Sequence, residues 1–215
     1  MKIKVKDGQK VVFIGDSITD CLRQSSFAPL GNGFVKIFDD MLLAKEPAKK
    51  VEVVNKGISG DRITGLNNRW TDDVIRQNPD WLVIKIGIND LYSHLFHNDQ
   101  ASVSPELYAE TFDKILGRTK KELPKCKILL ISPFFMSTDS GSGSLRSQVL
   151  AKLPEYIETV QKMSVKYKTL LIKTHDIFQE QLKYRDINTF CNEPVHPNQT
   201  GHIIIADAIY GALSG

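Results

Sequence analysis

The sequence predicts an α/β protein in which a five-stranded parallel sheet is covered on both faces by helices, a three-layer α/β/α arrangement. Two observations predict it. Five short apolar runs, at Val11–Gly15, Val51–Asn55, Trp81–Gly87, Lys127–Ser132 and Leu170–Lys173, read as buried strands. Each is followed by a longer segment of helical periodicity, so the chain alternates βαβα along its length.

The helical segments are Gly33–Lys45, Thr64–Gln77, Pro105–Lys121, Leu145–Tyr167 and Pro197–Leu213. Ser104 supplies a start signal and Asn78-Pro79 a stop signal. Crossovers between parallel strands are right-handed, which gives a flavodoxin-like topology. The segment Gln24 to Gly33, with Pro29, Gly31 and Gly33, reads as a loop bordering the carboxyl rim of the sheet. Ser137 to Ser144 is a Gly/Ser-rich patch after the fourth strand, either a lid or a linker into the next helix.

The chain has 215 residues, 41% hydrophobic and 25% charged, and a chain of that size buries about 70% of its unfolded surface as one domain, residues 1–215. The net charge of +3 is spread along the chain in pairs no longer than Lys49-Lys50 or Lys120-Lys121. Without a basic stripe or an aromatic-basic module, neither a nucleic-acid nor a membrane-surface role is expected. The opening MKIKVKDGQK lacks an apolar core, and no run approaches the roughly 18 apolar residues of a membrane span, so a cytoplasmic protein is expected. The three cysteines, Cys21, Cys126 and Cys191, have no metal-ligand spacing and read as free, buried thiols. No cofactor and no metal are expected.

The chemistry concentrates at strand ends. In VVFIGDSITD the first strand runs into Gly15-Asp-Ser17, which lifts one hydroxyl to the rim where open α/β sheets bind ligands. Ser17-Ile-Thr-Asp20 also fits a capping box, which would occupy that hydroxyl with helix amides. As a nucleophile, Ser17 needs a base in reach and a third group to orient the base. Of five histidines, His94 and His97 sit in a polar stretch after the third strand, His175 follows the fifth, and His202 lies within the last helix. His196 differs: Pro197 biases it toward extended backbone and suits a first helical turn, and Glu193 lies three residues earlier, where a turn brings its carboxylate back to Nδ1. A backbone carbonyl or Asp186 competes for that place. The oxyanion of acyl transfer needs neutral donors. Gly60 and Asn89, each just beyond a strand end, are the candidates together with the Ser17 N–H; a plain turn at Gly60-Asp61 and a helix cap at Asn89-Asp90 are the structural alternatives.

These blocks, Gly15-Asp-Ser17, Ser59-Gly60-Asp61, Gly87-Ile-Asn89-Asp90 and Glu193-Pro-Val-His196, resemble those of the SGNH, or GDSL-type, hydrolase family over almost the whole chain. FIGDSITD, LGNGF, VVNKGISG, IGIND and HPNQTGH are most similar to bacterial acetylxylan-esterase-like enzymes. The resemblance implies Ser17 as nucleophile, His196 as general base, and Ser17, Gly60 and Asn89 as oxyanion donors. The family's aspartate is Glu193 here, one methylene longer. It implies a metal-independent serine carboxylester hydrolase acting on a small-molecule ester, an O-acetylated sugar or xylo-oligosaccharide. Competing readings are a lysophospholipase or thioesterase with a wide apolar groove and a catalytically impaired carbohydrate-binding protein. A nucleotide binder is disfavoured, since neither G-x-G-x-x-G nor a Walker lysine follows the first strand. The sequence is compatible with a homo-oligomer.

Overall fold

The computed structural model describes residues 3–96, 102–139, 141 and 143–214. Strands β1 (Lys10–Gly15), β2 (Glu52–Gly57), β3 (Trp81–Lys85), β4 (Lys127–Ile131) and β5 (Leu170–Ile172) form one parallel sheet in the order β2-β1-β3-β4-β5. The five apolar runs are these strands, shifted by one or two residues at their ends. Val11, Val12, Phe13 and Ile14 of β1 have no exposed surface, because β1 is flanked by strands on both sides and by helices on both faces. Burial of each such side chain is worth about 1.5–3 kcal/mol.

The helices are α1 (Ser17–Asp20), α2 (Phe34–Lys45), α3 (Ile63–Trp70), α4 (Ile88–Phe96), α5 (Pro105–Glu122), α6 (Leu145–Tyr167), α7 (Thr174–Leu182) and α8 (Gln199–Ala212). A π turn at Thr71–Ile75 continues α3, and a short 3₁₀ turn spans Ile187–Thr189. The chain leaves β1 toward β2 and then crosses back over β1 to β3. Because both crossovers are right-handed, α2 and α3 fall on opposite faces. There α8 packs on α2, while α5 packs on both α3 and α6. The reversal of strand order at β1 and β3 opens a crevice at their carboxyl ends, which carry Ser17 and Asn89. Among the described residues no helix is long and apolar enough to cross a membrane.

Several local expectations are corrected. The polar stretch after β3 is α4, with His94 inside it; Ile88, Leu91, Tyr92 and Leu95 recur at helical spacing and outweigh the loop-like residues between them. His97 lies outside the described residues. His175 is in the first turn of α7. The last helix starts at Gln199 with Asn198 as its cap, so Pro197 precedes the helix and instead pairs with Cys191 in an isolated bridge. Ser104 caps α5 as expected, accepting from the Leu107 N–H at 3.2 Å.

Candidate active site

The β1 strand ends on Gly15, where a side chain would meet the Lys85 carbonyl oxygen at 2.1 Å and Thr19 Oγ1 at 2.5 Å. Only glycine lets the backbone turn this close to β3. The capping-box alternative for Ser17 is not realised. Asp16 caps α1, its Oδ1 accepting from the Ile18 N–H at 3.0 Å, and Asp20 Oδ2 accepts from Ser59 Oγ at 2.7 Å. Ser17 is thereby the first helical residue with its hydroxyl free of helix amides, and Oγ lies 2.8 Å from His196 Nε2.

His196 is held from the other side by Glu193, whose Oε1 contacts Nδ1. The same carboxylate folds back on its own turn, with Oε1 accepting from the His196 N–H at 2.7 Å and Oε2 from the Val195 N–H at 3.0 Å. Burial pushes the Glu193 carboxyl up, but the hydrogen bonds from the His196 ring and the two backbone amides outweigh it and hold it below its ordinary value. A carboxylate there assigns the proton to Nδ1 and turns the Nε2 lone pair toward the Ser17 hydroxyl. Asp186 is spent elsewhere: it caps the 3₁₀ turn by accepting from the Asn188 N–H at 3.0 Å.

The structure brings Gly60 and Asn89 together through Asp61. Asn89 Nδ2 donates to the Asp61 carbonyl at 3.1 Å, and its second N–H has no acceptor among the described residues. Asn89 sits in the first turn of α4 rather than capping it. Gly60 has φ +77°, which favours glycine, and nothing lies within 4 Å of where a side chain would project. A turn is present as well, with the Asp61 N–H donating to the Ile58 carbonyl at 3.2 Å. This loop is tied to the end of β1 by the Ile58 N–H, which donates to the Gly15 carbonyl at 3.0 Å.

Three residues to which the sequence assigned no role in the site hold these blocks in register. Arg69 is the first. Its Nε and Nη2 engage the Asp61 carboxylate at 2.8 and 2.7 Å, Nη1 reaches Asp73 and the Lys56 carbonyl at 2.7 Å each, and Nη2 donates to the Gly15 carbonyl at 3.2 Å. One guanidinium thus joins the ends of β1 and β2 to the Gly60 loop. Lys85 is the second: with 1% exposure it pairs with the fully buried Asp16 carboxylate at 3.0 Å, bracing the residue before Ser17 from β3. Burial pulls the Lys85 ammonium down and Asp16 pulls it back up. Asp90 is the third, its Oδ1 accepting from the Ile63 N–H at 2.8 Å at the start of α3. Its Oδ2 is buried with no hydrogen-bond partner among the described residues, and burial pushes its carboxyl up to about 7. A lysine inside an apolar strand run was the one available signal for Lys85, and no local pattern marks Arg69 as a link between strand ends.

The cleft beside Ser17 has a volume of about 470 Å³, with Ser59, Asn32, Asn192, Asn198 and Gln199 among its walls. It is polar, unlike a groove for a long acyl chain. Cys21 borders it and is part-buried rather than fully buried, while Cys126 and Cys191 are buried. Burial, with Asp20 and Asp16 nearby, pushes the Cys21 thiol up to about 12, so it is a poor nucleophile. The Ser137–Ser144 segment leads into the Ser144 cap of α6; Ser140 and Ser142 of this lid-or-linker patch lie outside the described residues.

A hydroxyl bonded to an imidazole that is itself bonded to a carboxylate suits acyl transfer, and the fold and site together define a carboxylic ester hydrolase. Comparison with known proteins agrees. The model of the GDSL-like lipase/acylhydrolase family matches residues 13–204. An acetylxylan esterase of Geobacillus stearothermophilus is 35% identical over 96% of this chain and 94% of its own length. The crystal structure of that organism's acetylxylan esterase Axe2 superposes with a TM-score of 0.89 at 33% identity, covering 99% of this chain and 97% of the other. LAE5, an alpha/beta hydrolase enzyme from the metagenome of Lake Arreo, superposes with a TM-score of 0.88 at 28% identity over 99% and 98% of the two chains. This chain therefore belongs to the GDSL-like lipase/acylhydrolase family. Structures of Axe2 catalytic mutants, in which a serine, an aspartate or a histidine is replaced by alanine, place that aspartate three residues before that histidine.

Proposed function

We propose that this hydrolase removes acetyl groups from short O-acetylated saccharides of the xylo-oligosaccharide kind, with Ser17, His196 and Glu193 as its triad. The observation that carries the reading is the unbroken contact chain from Ser17 Oγ through the His196 ring to the Glu193 carboxylate. Ser17 Oγ attacks the ester carbonyl carbon as its proton passes to His196 Nε2. Glu193 keeps the ring in the productive tautomer and offsets the imidazolium charge. The Ser17 and Gly60 N–H groups and the Asn89 side-chain amide receive the oxyanion. On collapse the carbon–oxygen bond to the sugar breaks, and the sugar oxygen takes the proton from Nε2. Water, deprotonated by the same nitrogen, then attacks the acetyl-serine and releases acetic acid.

The substrate class is supported by the acetylxylan esterase relatives and by the amide-rich walls of the cleft, which match sugar hydroxyls better than alkyl chains. The free thiols Cys21, Cys126 and Cys191 support a reducing, cytoplasmic setting in which such oligosaccharides arrive already shortened. The test is acetate release from acetylated xylo-oligosaccharides, compared with butyryl and longer esters, together with fluorophosphonate labelling located by mass spectrometry. The reading requires the label on Ser17, a preference for acetyl, and near-complete loss of turnover in Ser17→Ala. Label elsewhere, or kcat/KM rising with acyl length, overturns it.

A further inference from the structure

A second cleft, about 480 Å³ in volume, lies between the 22–32 loop and the start of α2. It shares Asn32 and Gln199 with the cleft beside Ser17, so the two are adjoining halves of one trough. Both volumes lie in the range of about 300–1,000 Å³ typical of small-molecule sites. We infer that this second half is a saccharide subsite, taking the sugar unit next to the one whose acetyl group is at Ser17. The inference rests on the acetyl-saccharide reading above.

The lining carries it. Phe27 is 46% exposed and lines the second cleft, and Leu22 is 51% exposed and lines the first. Two large apolar side chains left in water on one short loop beside a catalytic serine call for an occupant. Around them stand Asn32, Gln199, Lys36 and Asp40, the last two joined as an ion pair. An apolar platform inside a rim of hydrogen-bonding groups fits a pyranose ring, whose C–H face is apolar and whose equatorial hydroxyls point outward. A lipid chain would leave that polar rim unused, and a free acetate would not reach it.

The platform is also anchored to the catalytic residues. Asn55 Nδ2 donates to the Leu30 and Thr19 carbonyls at 2.7 Å each, tying the loop to α1 through the end region of β2. The Asn32 N–H donates to the Cys21 carbonyl at 3.0 Å, and the Gly31 N–H donates to the Phe27 carbonyl at 2.7 Å. Arg23 Nε donates to the Gly57 carbonyl at 2.6 Å. A subsite fixed to the same strand ends as the nucleophile places its sugar without a further ordering cost. The loop noted in the sequence for Pro29, Gly31 and Gly33 thereby acquires a binding role.

The experiment compares Phe27→Ala and Phe27→Tyr with the native protein on three substrates: para-nitrophenyl acetate, an acetylated methyl xyloside and acetylated xylotriose. The expected result is that the native preference for the trisaccharide over the monosaccharide shrinks by about tenfold in Phe27→Ala, through KM, and is retained in Phe27→Tyr. An unchanged preference in Phe27→Ala overturns the subsite. Equal losses on all three substrates also overturn it, since Phe27 would then be supporting the catalytic loop instead of a sugar. A change in sedimentation of Phe27→Ala with the preference intact assigns the patch to a second copy of the chain. Native protein that cleaves para-nitrophenyl acetate but no saccharide ester refutes the acetyl-saccharide reading itself, a result distinct from failure of the subsite alone.

Discussion

Replacing Glu193 by glutamine tests the triad where this chain departs from its relatives. The substitution keeps the shape and removes the charge. With Oε1 still accepting from the His196 N–H and ring, the new NH₂ group faces the Val195 N–H, a lost hydrogen bond worth about 1 kcal/mol on an exposed turn. The larger effect is on the imidazolium formed during acyl transfer. Two unit charges about 4 Å apart interact by about 4 kcal/mol at an effective dielectric of about 20. The Glu193 side chain is 48% exposed and that of His196 56%, so water screens part of this and about 2–4 kcal/mol is expected. That corresponds to a fall in kcat of about 30- to 1,000-fold, short of the roughly 10⁴-fold lost in a serine protease whose triad carboxylate is buried. Steady-state kinetics on an acetyl ester read it directly, with thermal melting to show that the fold is kept. A folded Glu193→Gln protein within about threefold of native kcat would refute the assignment and leave a Ser17–His196 pair.

Arg69→Met should lower kcat by about 10- to 100-fold with little change in KM, because the Gly60 loop loses its link to the Gly15 carbonyl; millimolar guanidinium should restore part of the rate, and no rescue with normal kcat would show Arg69 to be a bystander. Lys85→Met leaves the Asp16 carboxylate buried and unpaired, so urea melts should show a loss of about 3–5 kcal/mol, most of it recovered in Lys85→Met combined with Asp16→Asn, which still accepts from Ile18; an equally unstable double variant would count against the pair. His202 is held down to about 4 by burial and by the Lys85 and His196 charges. Since the unfolded chain takes up that proton first, its share of stability, about 3 kcal/mol, is lost as pH falls from about 6.5 to 4. Asp90, raised to about 7, works in the opposite sense, its share being present at low pH and lost as pH rises through 7. His202→Asn, which keeps an acceptor for the Phe34 N–H, should therefore gain stability relative to native protein as pH falls across that window; parallel pH profiles would disprove the buried neutral histidine.

The sheet was legible in the sequence because strands covered on both faces must be apolar along their length, and five such runs separated by helical periods admit few other arrangements. The Ser17, Gly60 and Asn89 blocks were legible for a related reason: they follow the carboxyl ends of β1, β2 and β3, which a parallel sheet collects on one rim. His196 stood apart through its local partners, Glu193 and Pro197, which are close in sequence. What escaped were short elements and long-range bonds. The helices α4 and α7 have only nine residues each, and their helical period is short enough for the polar residues within it to read as loop. Whether the Ser17 hydroxyl caps its helix or faces an imidazole 179 residues away was decided only when Asp16 took the cap and the fold brought His196 onto Ser17. The same holds for Arg69 and Lys85. Arg69 looks ordinary in the chain and Lys85 shows only as a charge within an apolar run; the folded sheet converts both into braces between strands. Residue type and spacing determine which chemistry is available and on which rim, because those follow from local periodicity. Orientation depends on which distant groups satisfy each buried donor and acceptor, and packing alone makes that choice.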